Sequence, residues 1–132
     1  MERQVKQVIV VRKDLRNTKG EKVHTGKLIA QGAHAATGFI TQRLKDQGHN
    51  YVFTDAEWLW ITGIFTKAVV QVENEEELVK VHLSAHLNGV YSHLIVDKGL
   101  TEFGGTPTTT CCAVGPDYSE LVDKVTGHLK LY

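Results

Sequence analysis

Several residue types that define special classes of protein are scarce in this chain. Its 132 residues include two cysteines, two prolines and one methionine. Cys111 and Cys112 are adjacent, and along a strand neighbouring side chains point to opposite faces, so they are badly placed to bond each other. With no CxxC and no third cysteine, a disulfide scaffold and a thiolate zinc site are excluded, and two small buried residues in a reducing compartment are expected. No apolar run approaches the ~18 residues of a membrane span. The run nearest the N-terminus, Val8-Ile9-Val10-Val11, is too short for a signal peptide and is flanked by Lys6 and Arg12. A soluble, cytoplasmic protein is expected. GxGxxG is absent, and none of Ser84, Ser92 and Ser119 sits in a G-x-S-x-G turn, so a dinucleotide fingerprint and a serine-hydrolase elbow are both missing.

A net charge is lacking too, with 15 basic and 15 acidic residues, but their distribution is uneven. Residues 1–45 hold ten basic and three acidic side chains, a surplus of seven that residues 46–132 cancel. A basic third inside a neutral whole suggests a polyanionic partner met by one face, unless those charges are simply solvated.

What is present reads as one domain over 1–132, without repeats or Pro/Gly-rich linkers. Strands are expected over Gln4–Arg12, Phe65–Glu73, Tyr91–Asp97 and Thr109–Val114, each with an apolar or branched core. Residues 13–26 form a polar loop. Helices are expected over Lys27–Lys45, with Thr25 as N-cap, after the capping boxes Thr54-x-x-Glu57 and Asn74-x-x-Glu77, and from Asp117-x-x-Glu120. Strand–helix–strand crossovers favour parallel pairing with helices on both faces, and the short third-to-fourth connection allows an antiparallel last strand. The fold class is α/β: a three-layer α/β/α domain with a mixed four-stranded sheet.

In such sheets ligands gather at the carboxyl ends of the strands. The first strand leads through Thr25-Gly26 to Lys27 at a helix start, where free N–H groups and the positive dipole end favour an anion. The third ends at Asp97, followed by Lys98, Gly99 and Thr101. If both strands run the same way, Lys27 and Asp97 emerge together. Lys27, Gln31 and His34 share one helical face at i, i+4 and i+7, among small residues; an amphipathic helix with its polar side in water accounts for this spacing as well. Gly20 to Leu28 imitates a P-loop but has five residues between its glycines, and Leu28 stands where a magnesium-binding hydroxyl is needed. His82 and His86 could bind a metal together, but without the Glu of a metalloprotease motif they read as helix histidines. Thr106, Thr108, Thr109 and Thr110 cluster at the fourth strand, with Thr108 and Thr110 on one face by alternation.

Five segments, in order, carry a resemblance to a known family: Lys6–Leu15, Gly26–Ala36, Asp97–Glu102, Ala113–Pro116 and the closing Val122-Asp123-Lys124-Val125-Thr126-Gly127-His128-Leu129-Lys130-Leu131-Tyr132. Together they resemble the type 2 peptidyl-tRNA hydrolases along nearly the whole chain. The resemblance implies a homodimer that hydrolyses the ester between a peptide and the 3′ ribose of tRNA, freeing tRNA for reuse, with no metal and no cofactor. It places the functional lysine, glutamine and histidine at Lys27, Gln31 and His34, the aspartate and threonines at Asp97, Thr101 and either Thr108 or Thr110, and the lysine of the closing signature at Lys124. On that basis Lys27 and backbone N–H groups stabilise an oxyanion, Asp97 orients Lys27 or takes the water's proton, and His34 is a second candidate base because imidazole titrates near neutrality. Arg12, Lys13, Arg16, Lys19, Lys22 and Lys124 are the expected tRNA contacts. The competing reading is a tRNA- or RNA-binding module without catalysis.

Overall fold

The branched run ending at Arg12 forms β1 (Val5–Arg12), and the rest of the chain is assembled around it in a computed structural model that describes residues 3–132. After β1 come α1 (Thr25–Gln47), a 3-10 turn (Gly48–Asn50), α2 (Asp55–Thr62), β2 (Lys67–Val72), α3 (Glu75–Leu87), β3 (Ser92–Asp97), β4 (Thr108–Tyr118) and α4 (Ser119–Thr126). The strands make one sheet in the order β2-β1-β4-β3. β1 and β2 are parallel, and β4 is antiparallel to both β1 and β3. Two antiparallel pairings in succession restore direction, so β1 and β3 end at the same side of the sheet with β4 between them. The mixed four-stranded sheet is as expected.

Alternation along β1 builds two cores. Val8 and Val10 face α3 and α4, joining Leu78, Val81, Val122 and Val125. Ile9 and Val11 face α1, joining Ala35, Cys111 and Ala113. Helix α2 lies beside α1, its Trp60 meeting Phe39 edge to face at 5.8 Å. The two cysteines point to opposite faces, both free and buried. Burial pushes their thiols up to about 11 at Cys111 and about 12 at Cys112, which keeps them protonated and inert.

Several boundaries differ from the sequence expectation. Thr25 is the first residue of α1 rather than its cap; His24 precedes the helix and supplies no side-chain cap. Strand β2 begins at Lys67, because Phe65 takes a left-handed φ of 62° that breaks the extended run. β4 continues to Tyr118, held by the pairs Lys6–Asp117 and Val5–Tyr118, so α4 starts at Ser119 and Asp117 caps nothing. The Thr54/Glu57 capping box is complete. Asn74 accepts from the Glu77 N–H (3.0 Å), but the Glu77 carboxylate reaches one residue further back, to the Glu73 N–H (2.7 Å).

The two lateral edges of the sheet are unlike. At β2 the chain's final residues add a short antiparallel bridge: Leu131 pairs with Val70, the Gln71 N–H donates to the Lys130 carbonyl (2.9 Å) and the Tyr132 N–H to Val69 (3.0 Å). At β3 no described segment pairs with the outer side. No described helix is long and apolar enough to cross a membrane. The His82 ring bonds the Ser92 hydroxyl at 2.8 Å, burial lowers its proton affinity, and among the described residues no group of three or more metal-ligating side chains occurs.

Candidate active site

Helix α1 and the carboxyl end of β3 bring together residues seventy positions apart. Lys27 Nζ donates to Asp97 Oδ1 (3.1 Å) and to Thr101 Oγ1 (2.9 Å), and lies 5.5 Å from the centre of the Phe103 ring. An ammonium has three N–H groups, and two polar partners plus an aromatic face leave it little freedom. Lys27 and Asp97 are each 15% exposed, enough for a substrate to reach and too little for water to screen fully.

Gln31 is buried one turn further along α1. Its Nε2 donates to the same Asp97 oxygen (3.2 Å), while its Oε1 accepts from the Thr110 hydroxyl (2.7 Å). A carboxamide has one donating and one accepting end, so the Thr110 donation fixes the NH2 group toward Asp97. Thr110 reaches Gln31 because the β3–β4 register skips a residue: Ile95 pairs with Cys111 and Val96 with Thr109. This bulge turns Thr110 to the side of Cys111, whose Sγ also meets the Gln31 carbonyl at 3.3 Å. Thr108 is not in the cluster. Its hydroxyl donates to the Thr106 carbonyl (2.9 Å), and it lies in a separate depression with Arg12 and Arg16.

The second Asp97 oxygen accepts from the Gly99 N–H at 2.9 Å. Burial alone would raise the Asp97 pKa, but the Lys27 ammonium, the Gly99 N–H and the Gln31 amide outweigh it and hold the carboxyl below the usual aspartate range. Asp97 is therefore a carboxylate at neutral pH, and a weak base. Gly99 has φ 78°, and a Cβ there would fall 2.1 Å from the Thr106 carbonyl oxygen. Only glycine permits this turn.

The cluster closes one end of a cleft of about 770 Å³ between α1 and β3. His34 lines the cleft, its exposed ring bonded to no described residue. Further along lie Thr37, Thr41 and Lys45 on α1, facing His93 to Asp97 on β3. His93 packs flush on Gly38, where a Cβ would sit 2.1 Å from the ring, and its Nδ1 lies 3.0 Å from the Tyr91 hydroxyl. Phe103, His93 and Thr110's bulge go beyond the sequence reading, and nothing in the sequence signals them; Gly99 is read there as following Asp97, without its N–H bond to the carboxylate.

The expected tRNA contacts divide. Arg12 is 14% exposed and committed to Asp14 (2.8 Å) and the Thr109 carbonyl (2.9 Å). Lys13 pairs with Glu73 (3.0 Å). Arg16, Lys19 and Lys22 form no salt bridge among the described residues; all three lie in the loop that feeds α1. Arg12, Lys13, Arg16 and Lys22 border a groove of about 600 Å³ that reaches Thr25. Lys124 sits apart, on α4, which packs on the sheet face opposite α1.

Comparison with known proteins bears directly on this site. Residues 5–132 match the family model described as "Peptidyl-tRNA hydrolase PTH2". A peptidyl-tRNA hydrolase of Thermococcus onnurineus is 45% identical over 128 residues, covering 96% of each chain. One from Methanopyrus kandleri is 41% identical over 126 residues, covering 96% of this chain and 97% of its own. A probable peptidyl-tRNA hydrolase 2 of Dictyostelium discoideum is 39% identical over 127 residues, which are 96% of this chain and 54% of that one. Among solved structures, a protein of unknown function from Agrobacterium tumefaciens strain C58 is similar with a TM-score of 0.59 at 16% identity, over 97% of both chains, a likeness of fold alone. On the family match and these full-length identities, the chain belongs to the PTH2 family of peptidyl-tRNA hydrolases.

Proposed function

We propose that the protein hydrolyses the ester between the peptide and the 3′ ribose of peptidyl-tRNA, releasing tRNA for reuse after premature release from ribosomes. The observation that carries this reading is the Lys27–Asp97–Thr101 contact set, at 3.1 and 2.9 Å, at one end of an open cleft. The ester carbonyl oxygen approaches Lys27 Nζ, which the bond to Asp97 aims. The water oxygen attacks the carbonyl carbon, negative charge collects on the former carbonyl oxygen, and the Lys27 ammonium stabilises it. Collapse expels the ribose 3′ oxygen, which takes up a proton, leaving a peptide carboxylate and a tRNA with a free 3′ hydroxyl. The low proton affinity of Asp97 suits it to orientation, so we assign the water's proton to His34, the unengaged imidazole of the same cleft. Gln31 and Thr110 hold Asp97 in register, and Thr101 positions water or ribose.

The chemistry uses protein groups only, so we take it to be metal-independent and without cofactor. Arg16, Lys19 and Lys22 hold tRNA phosphates beside the cluster. The protein acts in the cytoplasm as a homodimer. A groove of about 570 Å³ on the other flank of α1, with Ile29 68% and Phe65 50% exposed, supplies apolar surface for a second copy. The test is release of peptide from a model peptidyl-tRNA by purified protein in excess EDTA. Release supports the reading, and salt-dependent binding without release supports a non-catalytic tRNA-binding module instead.

A further inference from the structure

The cleft that starts at Lys27 and Asp97 runs on past both, and its β3 wall has an unusual composition. Five consecutive residues, His93 to Asp97, line it. Side chains alternate along a strand, so five in a row cannot all present side chains to one cleft. His93, Ile95 and Asp97 belong to the α1 face, whereas Leu94 packs into the core beneath α3 and α4, and Val96 follows it in alternation. What Leu94 and Val96 present to the cleft is therefore main chain. The ladder agrees. The Gly115 N–H donates to the Tyr91 carbonyl (2.8 Å), so the main-chain groups of odd-numbered residues of this strand turn toward β4, and those of Leu94 and Val96 turn outward. Their N–H and C=O groups have no partner among the described residues. The opposite edge, at β2, is covered by the chain's own last residues.

We infer that the free edge of β3 is the peptide subsite: the nascent peptide of the substrate adds to the sheet as a strand parallel to β3, its esterified carboxyl end at Lys27 and Asp97. This inference rests on the proposed hydrolase reading. Continuity with that site selects the occupant, because a chain whose carboxyl end is fixed at Asp97 and whose body follows the cleft must lie along His93 to Asp97. That stretch spans about 13 Å, or roughly four peptide residues. Pairing through main chain gives hold without regard to peptide sequence, which suits a substrate whose sequence is arbitrary. The α1 wall opposite, His34, Thr37, Thr41 and Lys45, is polar and offers no apolar pocket that would select a side chain.

The experiment alters the substrate and leaves the protein intact. Peptidyl-tRNAs carrying an N-acetylated peptide of one to six residues are cleaved under single-substrate conditions, followed by four-residue peptides N-methylated at one position at a time beyond the esterified residue. The expected kcat/KM rises with length to about four residues and then levels. N-methylation is expected to lower it about tenfold at alternate positions, where an N–H faces β3, and less than twofold at those between. In the free protein, the Leu94 and Val96 amides should exchange with solvent quickly. Cleavage of the one-residue substrate with no length dependence, or N-methyl effects that do not alternate, overturns the peptide subsite and leaves the hydrolase reading intact. Slow exchange of those two amides in the free protein overturns it as well, by showing that a second copy already covers the edge. Failure to cleave any substrate overturns both.

Discussion

Helix α1 carries two cation–carboxylate–hydroxyl sets, and they do opposite things. Near its start Lys27 meets Asp97 and Thr101. Near its end Arg43 meets Glu57 and Tyr51, all three mutually bonded. The second set is closed. The Glu57 side chain is 2% exposed, one of its oxygens also accepts from the Thr54 N–H (2.9 Å), and Arg43 lies against the rings of Tyr51 and Tyr91 at 5.2 and 4.7 Å. It ties α1 to the cap of α2, and the Glu57 carboxylate is sealed from any substrate. The first set has a point charge instead of a planar fork, and a cleft on its open side. The chemical groups are nearly the same; access and the choice of lysine over arginine separate the buried tie from the set that the proposed chemistry uses.

The contrast can be broken from either side. The largest expected effect is on the closed set: Glu57→Ala leaves Arg43 without its buried partner and should lower stability by about 3–5 kcal/mol, read by denaturant unfolding. Its cleavage rate per folded molecule should stay within a factor of about two, since a stability defect of this kind leaves the distant site unchanged. A smaller effect is expected behind the open set. Thr110→Val removes the donation that fixes Gln31, and the lost hydrogen bond should lower kcat about 3–10-fold, with Thr110→Ser recovering most of it. The smallest concerns pH. The Asp97 pKa is lowered in the fold, so its stabilising contribution is complete above the ordinary aspartate value of 3.8 and is lost as pH falls through the lower folded value. Asp97→Asn should therefore flatten the acid limb of Tm against pH while leaving the limb above neutrality unchanged.

Much of this is legible in the amino-acid sequence. Val8 to Val11 required a strand buried on both faces, adjacent cysteines had to split between two cores, and Thr54 with Glu57 announced a helix start. The convergence of Lys27 and Asp97 was expected on the condition that the first and third strands run the same way. It held although β4 lies between β1 and β3, because two reversals of direction cancel. What was not legible depends on register and on distant partners. Thr110 reaches Gln31 through a bulge that no alternation rule anticipates, and Thr108, its equal by spacing, ends elsewhere. Arg12 and Lys13 read in the sequence as free positive charge, but in the fold Asp14 and Glu73 pair with them. Lys124 belongs to the closing sequence signature, yet α4 carries it to the face away from the cleft.

Single-turnover release of peptide from a model peptidyl-tRNA by Lys27→Ala tests the central claim most directly. Loss of the cation at the developing oxyanion should slow release by about 10²–10³-fold, with Tm within a few degrees of the unmodified protein. Release at a near-normal rate would contradict the account.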